Sequence, residues 1–153
     1  MPIPPADGHG FLPAGFHDCT LAEIRETFCF STHRSKLCEF LSLYCQEWLA
    51  AGFRLPMFVD GGFSTFKRDE PKDIDVIVDI STLDLREPLV IAAVSRLLDH
   101  DSVLAKYGIE VFPYHPVLVK NDFRAFFSYV KPIVRNALGL ADGFRKGMLR
   151  IQP

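Results

Sequence analysis

The segment from Val59 to Asp79 constrains the fold more than any other part of this 153-residue chain. It reads V-D-G-G-F-S-T-F-K-R-D-E-P-K-D-I-D-V-I-V-D, so a glycine pair follows a short apolar run and two aspartates lead into a second apolar run. The alternating pattern after Asp73 predicts a β-strand from Ile74 to Ile80. The segment therefore predicts a strand, a glycine turn and a second strand that begins with acidic side chains.

The flanking segments predict helices that alternate with further strands. A capping box, Thr20 with Glu23, opens one helix. Apolar residues recur at spacings of three and four from Arg34 to Ala51, which predicts a longer helix. Other helices are predicted from Pro88 to about His100 and after Asp122, and other strands at Met57–Val59, Ile109–Phe112, 117–120 and Met148–Ile151, the last at a sheet edge.

This order of elements predicts an α/β or α+β fold with a single domain. Helices and strands that alternate in this way form a layer of helices against one sheet, so we expect the helices to pack mainly on one side. Residues 1–19 are rich in proline and glycine, and we predict that they form an N-terminal arm. The domain itself is predicted to span residues 20–153.

Composition narrows the possible partners and the compartment. The net charge of −2 argues against an extended nucleic-acid surface, which needs a dense basic face. No apolar run approaches the roughly 18 residues that cross a membrane, and the first residues do not form a signal peptide. A cytoplasmic protein is therefore expected, with its four cysteines as free thiols.

Asp73 and Asp75 are the first candidates for chemistry. Residues i and i+2 of a strand project from the same face, so both carboxylates converge on one or two Mg²⁺ or Mn²⁺ ions if the strand begins at Asp73. Glu110 is the best third carboxylate, since a charged residue in a strand is costly unless it is exposed or used. The alternative is that Asp73 caps a loop and that Asp75 is an exposed strand residue.

The glycine pair has two interpretations of its own. In the functional one, Gly61 and Gly62 let backbone N–H groups approach a triphosphate. Ser64 and Thr65 then donate hydroxyl hydrogen bonds, and Lys67 neutralises phosphate charge. In the structural one, the glycines form a tight turn and the polar residues are solvated or act as caps. The chain has neither a P-loop motif nor a G-x-S-x-G motif, so those two mechanisms are not predicted.

The same residues resemble the signature of the DNA polymerase β-like nucleotidyltransferase superfamily. That signature is hG[GS], then about nine to thirteen residues, then Dh[DE]h, with a third acidic residue on a later strand. The likeness to an uncharacterised, mainly bacterial branch of small proteins extends to Gly10–Arg25 and to Lys146–Ile151. Many superfamily members carry serine at the second glycine position, where this chain has Gly62.

The resemblance implies a nucleotidyltransferase-like mixed sheet and a Mg²⁺-dependent transferase. Asp73, Asp75 and Glu110 then act as catalytic, metal-binding residues, and Gly61 and Gly62 bind the phosphates of an NTP, with ATP expected. Small members of the superfamily often act as antitoxins in toxin–antitoxin pairs, which implies a hydroxyl on a partner protein as acceptor. The competing hypothesis is a non-catalytic nucleotide-binding or protein-interaction module on the same fold.

Overall fold

Five strands form one mixed β-sheet in a computed structural model of the chain, which describes residues 3–60, 63 and 70–152. The strands are β1 (Phe16–Cys19), β2 (Met57–Asp60), β3 (Ile74–Asp79), β4 (Ile109–Tyr114) and β5 (Met148–Ile151). Their order in the sheet is β1-β5-β2-β3-β4. Two pairs, β1 with β5 and β3 with β4, are parallel, whereas β2 is antiparallel to both of its neighbours.

Six helices accompany the sheet in the described part of the chain. They are α1 (Leu21–Phe28), α2 (Thr32–Ala50), α3 (Pro88–Leu97), α4 (His100–Tyr107), α5 (Phe123–Ser128) and α6 (Pro132–Leu138). The predicted capping box of α1 is confirmed, because Thr20 and Glu23 each accept a hydrogen bond from the other's backbone N–H. Asp122 caps α5, also as predicted, by accepting from the N–H of Arg124. The chain is therefore a single α+β domain.

One face of the sheet carries the main core. Alternate strand residues such as Val59, Val76 and Leu149 point to this face and pack with buried residues of α1 to α4, among them Trp48 and Tyr44. Burying one aliphatic side chain such as Val59 or Leu149 stabilises a fold by about 1.5–3 kcal/mol. The helices thus lie mainly on one side of the sheet, as predicted.

The second face carries a smaller, aromatic cluster. Its buried centre is Phe58, Ile77 and Met148, and Phe123 and Phe127 of α5 pack against it. Because α5 covers only part of this face, the remaining strand ends are left beside an open cleft. That cleft is where the predicted acidic residues lie.

Part of the predicted N-terminal arm, residues 1–19, belongs to the sheet. Residues 16–19 form β1, which pairs with β5, and Phe11 and Leu12 are buried before it. Strand β5 is consequently not the edge strand that the sequence predicts, because it lies between β1 and β2. Leu149 and Ile151 face the main core and Met148 faces the second side, while Arg150 pairs with Asp18; four residues are too few to reveal an interior position.

Two further predictions are wrong. The sequence predicts an extended segment at residues 117–120, yet Val117 and Leu118 lie in a turn, where the ring of His115 accepts hydrogen bonds from their backbone N–H groups. The helix that begins at Pro88 ends at Leu97, and the separate helix α4 follows. The side chain of Asp99 caps α4 by accepting from Ser102 N–H, which favours a new helix start over continuation.

No described helix is both long enough and apolar enough to cross a bilayer.

Candidate metal centre

Three acidic side chains, Asp60, Asp75 and Glu110, form a row across the sheet, which we call the acidic row. In the register of the strands, Asp75 on β3 lies opposite Asp60 on β2 and opposite Glu110 on β4. The residue before each of them is buried in the main core. Because successive side chains of a strand point to opposite faces, all three acidic side chains point to the second face.

The structure brings the three predicted carboxylates together. Oxygen atoms of Asp73, Asp75 and Glu110 all lie within 4.8 Å of one another, and each residue is half-buried. The prediction that Asp73 and Asp75 share a strand face required β3 to begin at Asp73. The strand begins one residue later, at Ile74. Asp73 nevertheless joins the group, because it lies directly before the strand. We call these three residues the acidic triad.

Burial and mutual repulsion make the acidic triad a costly place for negative charge. Burial raises the pKa of Asp75 to about 7, and the nearby carboxylates of Asp73, Asp60 and Glu110 contribute to the same shift. Burial also raises the pKa of Asp73, with a second contribution from Glu110. A bound divalent cation offsets both effects, since it supplies the positive charge that the carboxylates lack.

The donor set of the acidic triad fits Mg²⁺ or Mn²⁺. Mg²⁺ binds carboxylate oxygens at 2.0–2.1 Å, so two ligands on opposite sides of one ion are about 4.2 Å apart. The carboxylate oxygens of the acidic triad lie within 4.8 Å of one another, close to this separation. All three donors are carboxylates, which hard cations such as Mg²⁺ and Mn²⁺ prefer. Asp73, Asp75 and Glu110 are therefore the residues that would hold the metal.

The match to known protein families covers nearly the whole chain, from residue 4 to residue 152. The chain belongs to DUF6932, a family of unknown function. No curated protein matches the chain, and no solved structure matches it. The role of the acidic triad is consequently inferred from the geometry and chemistry of this chain.

Asp60 and Lys146 belong to the same site, although the sequence did not single them out. Asp60 is fully buried, and its Oδ1 lies 3.3 Å from Nζ of Lys146, which precedes β5. The signal for Asp60 was its place at the end of an apolar run, directly before the glycine pair. Lys146 begins the segment Lys146–Ile151 that carries part of the resemblance, but only the pairing of β5 with β2 brings it to the acidic row.

The acidic row forms one side of an open cleft of about 650 Å³. Residues of the C-terminal third also line the cleft; they include Phe126, Phe127, Tyr129, Lys131 and Lys146. Binding sites for small molecules are commonly of this size. Asp79, on the same strand and face as Asp75, is not part of the acidic triad, because its carboxylate accepts hydrogen bonds from Ser81.

The predicted phosphate-binding residues lie outside the described residues: they are Gly61, Gly62, Ser64, Thr65 and Lys67. Their predicted roles stay predictions. Two described residues within and next to this segment, Phe63 and Glu70, are hydrogen-bonded to residues at the start of α2. The buried guanidinium of Arg34 donates to the carbonyl of Phe63 at 2.8 Å, and the Ser31 hydroxyl donates to the Glu70 carboxylate at 3.0 Å.

Proposed function

We propose that this protein is a Mg²⁺-dependent nucleotidyltransferase that moves a nucleoside monophosphate from an NTP, with ATP as the expected donor, to an acceptor hydroxyl. The observation that carries the proposal is the convergence of Asp73, Asp75 and Glu110 at the edge of an open cleft. Carboxylates that share a site and face a cleft are typical of metal-assisted phosphoryl chemistry.

The reaction forms one P–O bond and breaks another. The acceptor oxygen attacks the α-phosphorus of the NTP, the bond to pyrophosphate breaks, and the hydroxyl proton is released to solvent. A bound Mg²⁺ would stabilise the developing negative charge and lower the pKa of the acceptor hydroxyl. The contribution of the chain is to hold the carboxylates in place: Asp75 and Glu110 lie on paired strands, and Asp73 lies directly before β3.

A protein hydroxyl is the acceptor that we propose, by analogy with the small antitoxin members of the resembled superfamily. The open form of the cleft supports this choice, because a loop or chain end of a partner can reach a site at its edge. In this proposal the protein is one half of a toxin–antitoxin pair, and it modifies its partner with NMP.

The test measures transfer of label from ATP that carries ³²P at the α-phosphate, with Mg²⁺ present and with lysate proteins as acceptors. We expect Asp75→Asn and Glu110→Gln to lower incorporation by roughly 100-fold or more, because each removes a carboxylate from the metal set. Asp79→Asn is the matched control, since Asp79 lies on the same strand face but outside the acidic triad. It should retain activity within about threefold of wild type.

Thermal unfolding with and without Mg²⁺ separates loss of metal from loss of fold. A ligand that binds only the folded state raises its stability, so Mg²⁺ should raise the melting temperature of wild type and of Asp79→Asn but not of Asp75→Asn. Equal incorporation by wild type and Asp75→Asn contradicts the proposal. Nucleotide binding without any transfer favours the non-catalytic module instead.

A further inference from the structure

Two aromatic rings are held in place beside the acidic triad and yet are exposed. Phe126 is 68% exposed and Tyr129 is 46% exposed, and both line the cleft that contains the three carboxylates. Apolar rings gain nothing from contact with water, so exposed rings that share a cleft with charged groups mark a binding surface.

The neighbours of these rings fix their positions. Phe127 packs edge-on against Phe126, with ring centres 5.2 Å apart, and is itself anchored on Phe112 of β4 at 5.1 Å. The guanidinium of Arg145 lies 4.1 Å from the ring centre of Tyr129 and donates a hydrogen bond to its hydroxyl. The rings therefore lose little conformational freedom when a ligand binds.

The arrangement of charge along the cleft suits one class of ligand. The acidic triad suits a metal-bound triphosphate, and Lys131 brings positive charge to the same cleft, where Lys146 is paired with Asp60. The aromatic rings then suit a flat, apolar group attached to that triphosphate. A serine or threonine acceptor gains little from ring faces, whereas a nucleobase stacks on them.

We propose that Phe126 and Tyr129 bind the base of the nucleoside triphosphate whose phosphates lie at the acidic triad. The inference rests on the proposed function and adds the group that recognises the nucleoside. Stacking on an aromatic ring strengthens binding by roughly five- to hundredfold per base. Stacking is tolerant of base identity, so these rings select nucleotides over inorganic polyphosphates more than they select among the four bases.

The experiment compares two ligands by titration calorimetry in the presence of Mn²⁺: α,β-methylene ATP, which cannot be transferred, and inorganic tripolyphosphate. We expect Phe126→Leu to weaken binding of the ATP analogue about tenfold and to leave tripolyphosphate binding within about twofold. Phe126→Trp keeps a ring at this position and should bind the analogue at least as tightly as wild type. Leu89→Ala is the control, because Leu89 is an exposed apolar residue on α3.

The outcomes separate this inference from the proposed function. Unchanged affinity of Phe126→Leu for the ATP analogue overturns the inference, and so does an equal loss of affinity for both ligands. Equal affinity of wild type for the analogue and for tripolyphosphate overturns it as well. Failure of wild type to bind either ligand overturns the proposed function, and this inference with it.

Discussion

Two rows of side chains cross β2, β3 and β4 one residue apart and differ in almost every physical property. One row, Val59, Val76 and Val111, is buried against the helices in the main core. The other row, Asp60, Asp75 and Glu110, faces the second side of the sheet and borders the cleft. The same three backbones therefore carry strongly apolar and strongly charged environments side by side.

The difference shows that one face of a sheet can hold the stabilising core while the other face holds the charged groups. Each valine gains free energy from burial, whereas the carboxylates repel one another and lose hydration. A destabilising group of this kind persists where function requires it, since selection for stability alone would replace it. The core row thus stabilises the position of the acidic row one residue away.

The largest effect on stability is expected when a carboxylate is placed in the row that faces the main core. Aspartate is slightly smaller than valine, so Val76→Asp introduces a charge without overfilling the core. Because Val76 is fully buried, we expect a loss of about 4 kcal/mol or more in the free energy of unfolding, measured by urea denaturation at about pH 8. Val76→Thr should lose less, and an unchanged midpoint for Val76→Asp would show that this face is hydrated.

A smaller effect is expected from the pH dependence of the acidic row. The pKa of Asp75 is about 7 in the folded protein, whereas the ordinary value of 3.8 applies to the unfolded chain, so the folded state binds more protons between these values. Stability should therefore fall as pH rises from about 4 to about 7. Allowing for partial solvent screening, we expect a loss of roughly 2–3 kcal/mol, measured by urea unfolding across this range without divalent cations.

Asp75→Asn removes the titrating group and should flatten this part of the profile. Asp101→Asn changes an exposed carboxylate on α4 and should keep the wild-type slope. A profile for Asp75→Asn as steep as that of wild type would assign the pH dependence to another group.

The smallest of the three effects concerns the polar group that is buried on the apolar side. Arg34 of α2 is fully buried, and it donates hydrogen bonds to the carbonyls of Phe28 and Phe63. Arg34→Met leaves these buried carbonyls without that donor, so we expect a loss of about 1–2 kcal/mol in urea unfolding. Lys36→Met, at an exposed position of the same helix, should stay within about 0.5 kcal/mol of wild type.

A gain in stability for Arg34→Met would contradict the view that only the cleft side of the sheet carries destabilising charge. It would mean that burying the guanidinium costs more than its hydrogen bonds return, as buried charges sometimes do. The apolar side of the sheet would then contain its own unfavourable charge.

The sequence was sufficient for the parts of the site that depend on neighbouring residues. Asp73 and Asp75 were found because their spacing and the following strand belong to one short segment, and the cap at Thr20 was found for the same reason. Strand β4 was predicted from a local apolar run, so Glu110 could be named. Its convergence with the aspartates depended on β3 and β4 being neighbours in register.

Tertiary structure alone decided the rest. Strand β1, the interior place of β5, and the contact between Lys146 and Asp60 all join residues far apart in the chain. Pairing of this kind is set by the best burial over the whole sheet, which a four-residue strand does not encode by itself. The sequence therefore determined which residues carry charge on which face of each strand, and the sheet decided which of those charges meet, because register is a property of paired strands.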